Sequence, residues 1–86
     1  MPNSGDDSIE AVARRLKMVR LALGMNKKEF AAKADLGPQV YGPFELGERP
    51  ITLEAAKKLR AAHELPLEFI FFGNMADLPH RIAKLL

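Results

Sequence analysis

The sequence predicts an all-α protein built as one small domain. Its 86 residues include no segment with the sustained alternation of polar and apolar residues that marks a half-buried strand. Apolar residues instead recur with the roughly 3.6-residue period of a helix, and residues that favour helix N-termini precede several of these segments. A chain of this length can bury one modest core but is too short for a second functional domain.

The first predicted helix runs from a cap at Ser8 to about Leu23. A serine hydroxyl can accept a hydrogen bond from an amide of the first turn. We expect the arginines on the other faces of this helix, and residues 1–7 as a flexible N-terminus. The residues that should face the core are Ile9, Val12, Ala13, Leu16, Val19 and Leu23.

Residues 24–49 are predicted to form two short helices separated by a tight turn. Helix two is the first of these. Asn26 and Glu29 have the spacing of a capping box, which fixes the start of helix two. Asp35 tolerates the left-handed conformation that ends a helix sharply, and Leu36 after it should be buried. These features predict two helices that meet at a steep angle.

Helix three is predicted to begin at Pro38, because proline suits the first position of a helix. Tyr41 and Phe44 are three residues apart and should both face the core. Gly42 and Pro43 disturb the helix, since glycine costs backbone entropy and an interior proline lacks an amide hydrogen and crowds the preceding turn. We therefore expect helix three to kink or tighten after Gly42 and to be short.

Two further helices follow a loop in which Pro50 prevents continuation of helix three. Thr52 can cap helix four, and helix five is predicted over residues 65–73, where Gly73 ends it. The residues of helix four expected to face inward are Leu53, Ala56 and Leu59.

The segment 74–86 is predicted to be a short C-terminal helical tail that begins after a cap at Asp77. Its apolar residues recur at helical spacing, and helix five carries more apolar surface than it can bury beneath itself. This surface can contact a second copy of the chain, giving a homodimer, or fold back over the chain's own core. The residues expected in the contact are Phe71, Phe72, Leu78 and Ile82, and the tail pattern continues through Leu85 and Leu86.

Composition excludes several classes of protein. The absence of cysteine excludes disulfides and thiolate metal sites, and it fits a reducing cytoplasm. No apolar run is long enough to span a membrane, and residues 1–10 lack the basic start of a secretory leader. We therefore expect a soluble, cytoplasmic protein that does not bind membranes.

Charge is distributed unevenly along the chain, although the net charge is only +2. Residues 1–10 carry three acidic side chains, residues 11–36 carry seven basic and two acidic ones, and residues 37–86 carry six of each. A basic region beside a short helix fits docking on phosphates, and a solvated basic surface is the ordinary alternative.

Residues 23–47 resemble the helix-turn-helix of the Cro and phage-repressor family, the XRE-type regulators. The residues of matching type are Leu23, Gly24, Met25, Asn26, Glu29, Phe30, Ala31, Ala34, Leu36, Tyr41, Phe44, Glu45 and Gly47. The resemblance extends over about four-fifths of the chain and implies a five-helix, lambda-repressor-like DNA-binding domain over residues 8–73. The segment from residue 65 to residue 81 is also similar to the end of a subset of small proteobacterial members.

The resemblance implies that double-stranded DNA is the partner and that helix three, residues 38–45, reads its major groove. Gln39 falls at a base-reading position of the family, and its amide can pair with adenine through two hydrogen bonds. Val40 either touches a thymine methyl or packs at the edge of the core. The base-reading surface would comprise Pro38, Gln39, Val40, Gly42 and Pro43, and its shortage of polar readers implies weaker base specificity.

The resemblance also implies roles for charged residues around helix three. Lys27 falls where the family holds a phosphate, while Lys28 and Arg49 are weaker candidates that could equally be idle surface cations. Arg20 and Glu45 match the pair that ties helix one to helix three, so we interpret both as structural.

Neither catalysis nor metal binding is expected. His63 and His80 are far apart and lack metal-ligand spacing, and we expect both as uncharged surface residues. Ser4 and Ser8 have no plausible base nearby, and no glycine-rich loop follows a strand. We therefore expect no enzyme activity, no cofactor and no metal.

Two hypotheses about function remain. The first is a sequence-specific DNA-binding transcriptional regulator, a small repressor or activator that acts as a dimer. The second is a protein-interaction module, such as an antitoxin-like adaptor, that keeps the fold but has weakened base readout because of Gly42 and Pro43. The helix-turn-helix resemblance favours the first.

Overall fold

Six α-helices follow one another in residues 7–86, the part of the chain that the computed structural model describes. They are α1 (Ile9–Ala22), α2 (Lys27–Lys33), α3 (Pro38–Leu46), α4 (Leu53–His63), α5 (Leu67–Phe72) and α6 (His80–Ala83). No strand occurs in this part, so the all-α prediction is confirmed there. Of the N-terminal segment expected to be flexible, residues 1–6 lie outside the described residues, and Ser4 is among them.

Side-chain caps begin three of the helices as the sequence predicts. The amide of Ala11 donates to the hydroxyl of Ser8 at 3.1 Å, and Thr52 caps α4 in the same way. Asn26 and Glu29 form both hydrogen bonds of the capping box, at 2.8 and 3.0 Å. Each cap pairs an amide that the first turn of a helix leaves without an intrahelical acceptor.

The turn between α2 and α3 is fixed by three contacts. Asp35 takes a φ of 57°, in the left-handed region, as predicted. Leu36 is buried, and its amide donates to the carbonyl of Ala31 at 2.9 Å. Lys58 of α4 donates to the backbone carbonyl of Asp35 at 3.2 Å, which ties the turn to α4.

Helix α3 continues without a break through Gly42 and Pro43 as far as Leu46. The helix therefore ends one residue later than the predicted 38–45, and no tighter turn replaces the α-helix at Pro43. Proline removes the hydrogen bond to the carbonyl of Gln39, but that residue is exposed, so water can replace the lost donor. The helix ends at Gly47, which has a φ of 76°.

The core lies where α3 packs against α1 and α2, and where α5 packs against α1 and α4. Phe30 is at its centre, with its ring centroid 5.4 Å from that of Tyr41 and 4.1 Å from that of His63, whose ring lies almost parallel to it. The expectation that His63 is a surface residue is wrong, because it is only 5% exposed. Its Nε2 donates to the carbonyl of Phe30 at 2.9 Å, while His80 is exposed.

Leu53 is 54% exposed, so the expectation that it faces inward is also wrong. The inward face of α4 is centred between Ala55 and Leu59, and the rotation of about 100° per residue turns Leu53 away from it. The residues of α4 that are buried are Ala55, Ala56, Leu59 and His63.

Two of the arginines in α1 are buried, and the burial of Arg15 is contrary to expectation. Arg15 is only 6% exposed, and its Nη1 donates to the carbonyl of Ile70 in α5 at 3.1 Å. Gly73 ends α5 with a φ of 77° and leaves room for this guanidinium, because a Cβ at Gly73 would lie 2.9 Å from Nε of Arg15. The second buried arginine, Arg20, belongs to the site described below.

The tail folds back over the chain's own core, which was the alternative to a dimer contact. Leu78 and Ile82 are buried there, so the expectation that they meet a partner is corrected. Asp77 does not cap the tail helix, because Pro79 stands at the N-cap position of α6. An ion pair between Arg81 and Glu64 also links α6 to the end of α4.

Candidate nucleic-acid interface

The inner side of α3 is held by a buried ion pair. Arg20 of α1 donates through Nε to Oε2 of Glu45 at 2.9 Å and through Nη2 to Oε1 at 2.8 Å. The hydroxyl of Tyr41 donates to Oε2 of the same carboxylate at 2.8 Å. Arg20 also donates through Nη1 to the carbonyl of Met25, at 2.9 Å. One guanidinium therefore connects α1, the loop before α2, and α3.

Hydrogen bonding keeps this pair charged. Burial would raise the pKa of Glu45, but hydrogen bonds from Arg20 and Tyr41 and the charge of Lys27 lower it below its ordinary value. The pKa of Arg20 is raised by its hydrogen bond to Glu45. Because the carboxylate stays ionised, its bonds orient α3 at any ordinary pH.

The outer side of α3 carries a stripe that faces away from the core. We define this outer stripe as Gln39, Gly42, Pro43 and Leu46, whose spacing of three and four residues places them on one face of the helix. Leu46 is 61% exposed, Gln39 is exposed, and the other two are half-buried. Gln39 supplies the only hydrogen-bonding side chain of the stripe, and none of the four is charged.

Two clefts border the outer stripe. Val40 is exposed beside it and lines a cleft of about 200 Å³ with Thr52 and Ala55 near the start of α4. Leu46 lines a second cleft of about 390 Å³ with Arg14 and Lys17 of α1, and Glu10 and Glu45 also reach this cleft. The stripe therefore lies between the start of α4 and the basic side of α1.

Exposed cations lie near the C-terminal end of α3 rather than on it. Lys27 begins α2 and is close enough to Glu45 for its charge to lower the pKa of that carboxyl. Lys28 is also exposed. Arg49 is exposed, and its amide donates to the carbonyl of Pro43 at 3.3 Å, which holds the loop after α3 against the helix. A polyanion laid against the outer stripe would thus meet positive charge near the C-terminal end of the helix.

The structure brings the residues of the predicted base-reading surface onto one helix but distributes them unequally. Pro38, Gln39 and Val40 are exposed, whereas Gly42 and Pro43 are half-buried. Leu46 was missed, because the sequence predicted that helix three would end before it. Leu46 is seven residues from Gln39, so both lie on one face of a helix that continues to residue 46. A prediction of a longer helix would therefore have included Leu46.

The side chains of the described residues, 7–86, form no cluster of metal ligands. Among residues 7–86, no group of three or more histidine, cysteine, aspartate or glutamate side chains is placed to hold a metal ion. None of the helices described is long and apolar enough to cross a lipid bilayer.

Comparison with known proteins identifies the fold. The model of the helix-turn-helix family matches residues 16–70, which run from the middle of α1 to the middle of α5. Comparisons with curated proteins and with solved structures find no match. Since the family match covers more than half of the chain and includes α2, the turn and α3, this protein belongs to the Cro/C1-type, or XRE, family of helix-turn-helix DNA-binding regulators.

Proposed function

We propose that this protein is a sequence-specific transcriptional regulator that binds double-stranded DNA as a homodimer and reads the major groove with α3. The observation that carries the proposal is the combination of an uninterrupted α3 with an exposed outer stripe, oriented by the buried pair of Arg20 and Glu45. In helix-turn-helix proteins such a helix enters the major groove while the preceding helix crosses the backbone.

Base reading is assigned to the exposed side of α3. Gln39 stands near the N-terminus of the helix, where side chains reach base edges, and its amide can pair with adenine. The other groups that would approach the groove are Pro38, Val40, Gly42 and Pro43. With one hydrogen-bonding reader in this set, shape and phosphate contacts must supply much of the affinity.

Phosphate contacts are assigned to Lys27, Lys28 and Arg49. Exposed ammonium and guanidinium groups bind phosphates with little sequence discrimination. Each phosphate contact makes the affinity for DNA fall more steeply as the salt concentration rises. Arg14 and Lys17 join this set because they line the same cleft as Leu46.

Dimerisation is supported by apolar side chains that the single chain leaves exposed. These include Phe72 after the half-buried Phe71, and Met75, Leu85 and Leu86 around α6. The longest dimension of the molecule is 32 Å, which is comparable to the separation of about 34 Å between half-sites one helical turn apart. Two copies side by side could therefore present two α3 helices to successive major grooves.

Binding to a duplex selected from random DNA tests the proposal. We expect a saturable complex of two chains per duplex whose affinity falls steeply as salt rises. Lys27→Ala should reduce the slope of log affinity against log salt by about two, because each of the two chains loses one phosphate contact. Lys84→Ala, which removes an exposed lysine in the tail, should not change the slope.

A protein-interaction module is the second candidate, because Val40 and Leu46 expose apolar surface on α3. The same experiment separates the two functions. A folded sample that forms no saturable complex with any duplex, even at low salt, would contradict the regulator and support the interaction module.

A further inference from the structure

The outer stripe of α3 is poor in the groups with which proteins usually read bases. Pro43 has neither an amide hydrogen nor a polar side chain, Leu46 is apolar, and Gly42 has no side chain. Beyond Gln39, this face can make only apolar contacts. Any direct contact with bases beyond that of Gln39 must therefore use an apolar feature of the DNA.

The major groove offers one prominent apolar feature, the C5-methyl group of thymine. Resting on the function proposed above, we infer that the outer stripe recognises thymine methyl groups through Pro43 and Leu46, next to an adenine read by Gln39. The target is then a tract of A·T pairs whose thymines are recognised by their methyl groups. A duplex of the same width and charge without those methyls is a poor ligand.

The spacing of the stripe sets the spacing of the thymines. Residues in a helix rise about 1.5 Å each, so Pro43 lies about 6 Å and Leu46 about 10 Å along the axis from Gln39. Base pairs are about 3.4 Å apart, so a helix lying along the groove places these side chains about two and three base pairs from the adenine. The three contacts fit within one half-site.

DNA fits this apolar face better than a protein groove does, because cations border it. Arg14 and Lys17 share a cleft with Leu46, Lys27 lies near Glu45, and the amide of Arg49 is bonded to the carbonyl of Pro43. An apolar stripe between basic residues complements a groove lined by methyl groups and edged by phosphates.

The test compares thymine with uracil, which lacks only the C5-methyl group. The duplex selected from random DNA is remade with deoxyuridine at one thymine at a time. Burial of one methyl group contributes a factor of about four to the dissociation constant, so we expect about a fourfold weakening at each thymine that contacts Pro43 or Leu46. Thymines outside the footprint should show no change.

Variants assign the effect to the stripe. Leu46→Ala should abolish the difference between thymine and uracil at one position and leave it unchanged at the other. Leu21→Ala removes a leucine of similar exposure, 57%, from α1 and should preserve both differences. Circular dichroism of each variant establishes that the helical content of the chain is retained.

Three outcomes would overturn the inference. A selected site without thymine in the footprint would do so, as would equal affinity for the thymine and uracil duplexes while DNA binding itself is intact. In both of these cases the proposed function stands. The absence of any saturable complex with DNA would overturn the proposed function as well, and would indicate that the outer stripe binds a protein.

Discussion

The inner and outer sides of α3 depart from the usual arrangement of polar and apolar groups in a helix. The inner side buries the carboxylate of Glu45 and the hydroxyl of Tyr41 against Arg20, and the outer side leaves Pro43 half-buried and Leu46 exposed. Directional hydrogen bonds fix an orientation, whereas apolar contact depends mainly on area. The difference indicates that polar groups set the angle of α3, and under the proposed function its exposed apolar groups contact DNA.

The largest expected effect comes from breaking the inner side. Glu45→Ala leaves the Arg20 guanidinium buried without its carboxylate and leaves the Tyr41 hydroxyl without its acceptor. Removing one partner of a buried pair costs about 3–5 kcal/mol, and we expect that loss in the free energy of unfolding measured by chemical denaturation.

Two control variants separate the effect of breaking the buried pair on stability from the effect of removing any glutamate. Glu48→Ala, at an exposed position just after α3, should change stability by no more than about 0.5 kcal/mol. The double variant Arg20→Met with Glu45→Leu should be more stable than Glu45→Ala, because no charge is stranded. A double variant as unstable as Glu45→Ala would contradict this account.

The next largest expected effect is on DNA binding and comes from Gln39 on the outer side. Gln39→Ala should weaken binding to the selected duplex by about 1–3 kcal/mol and relax specificity at one base pair, without loss of stability. Titrations against duplexes changed at each position measure this. Lys27→Ala should instead weaken binding to all duplexes alike, so a uniform loss in Gln39→Ala would argue against base reading.

The next prediction concerns a buried hydrogen bond outside α3, between His63 and the carbonyl of Phe30. Burial lowers the pKa of His63 below its ordinary value, the hydrogen bond to the carbonyl of Phe30 opposes this, and Lys33 adds to the lowering. The unfolded chain therefore takes up this proton more readily, and stability should fall as pH drops below about 6.5, by at most about 1.4 kcal/mol per pH unit. Urea unfolding at pH 7.5 and 5.5 measures the fall.

Replacement of each histidine assigns that pH dependence. His63→Gln keeps a donor for the Phe30 carbonyl but cannot gain charge, so it should remove most of the loss between pH 7.5 and 5.5. His80→Gln, at an exposed site, should retain the loss. Equal pH dependence in the two variants would show that another group is responsible.

The smallest expected effect is at Gly42 on the outer side, where one substitution should raise stability and weaken DNA binding. A Cβ at Gly42 would have no atom within 4 Å, so Gly42→Ala should stabilise α3 by about 0.5–1 kcal/mol. The added methyl would stand between Gln39 and Pro43, where the helix approaches the groove, and should weaken DNA binding. Thermal unfolding and duplex titration measure the two effects, and a variant that binds as well as the parent would show that no close approach occurs there.

Local residue chemistry was enough to predict the elements that position the site. The caps at Ser8, Asn26 and Thr52 and the left-handed Asp35 were predicted because each depends on neighbours a few residues away. The possible conversion to a tighter turn at Pro43 was predicted wrongly from the same local rules. The packing of Tyr41 and Phe44 holds the helix together from the inner side, and this contribution is not local.

The sequence by itself determined an all-α chain, a helix-turn-helix and the identity of the side chains available to bind DNA, because periodicity, capping and turn residues act over one or two helical turns. Only the tertiary structure decided that Arg15 and His63 are buried, that Leu78 and Ile82 cover the chain's own core, and that Leu46 extends the exposed face of α3. These outcomes depend on which distant segment covers each side chain, and helical period alone does not contain that information.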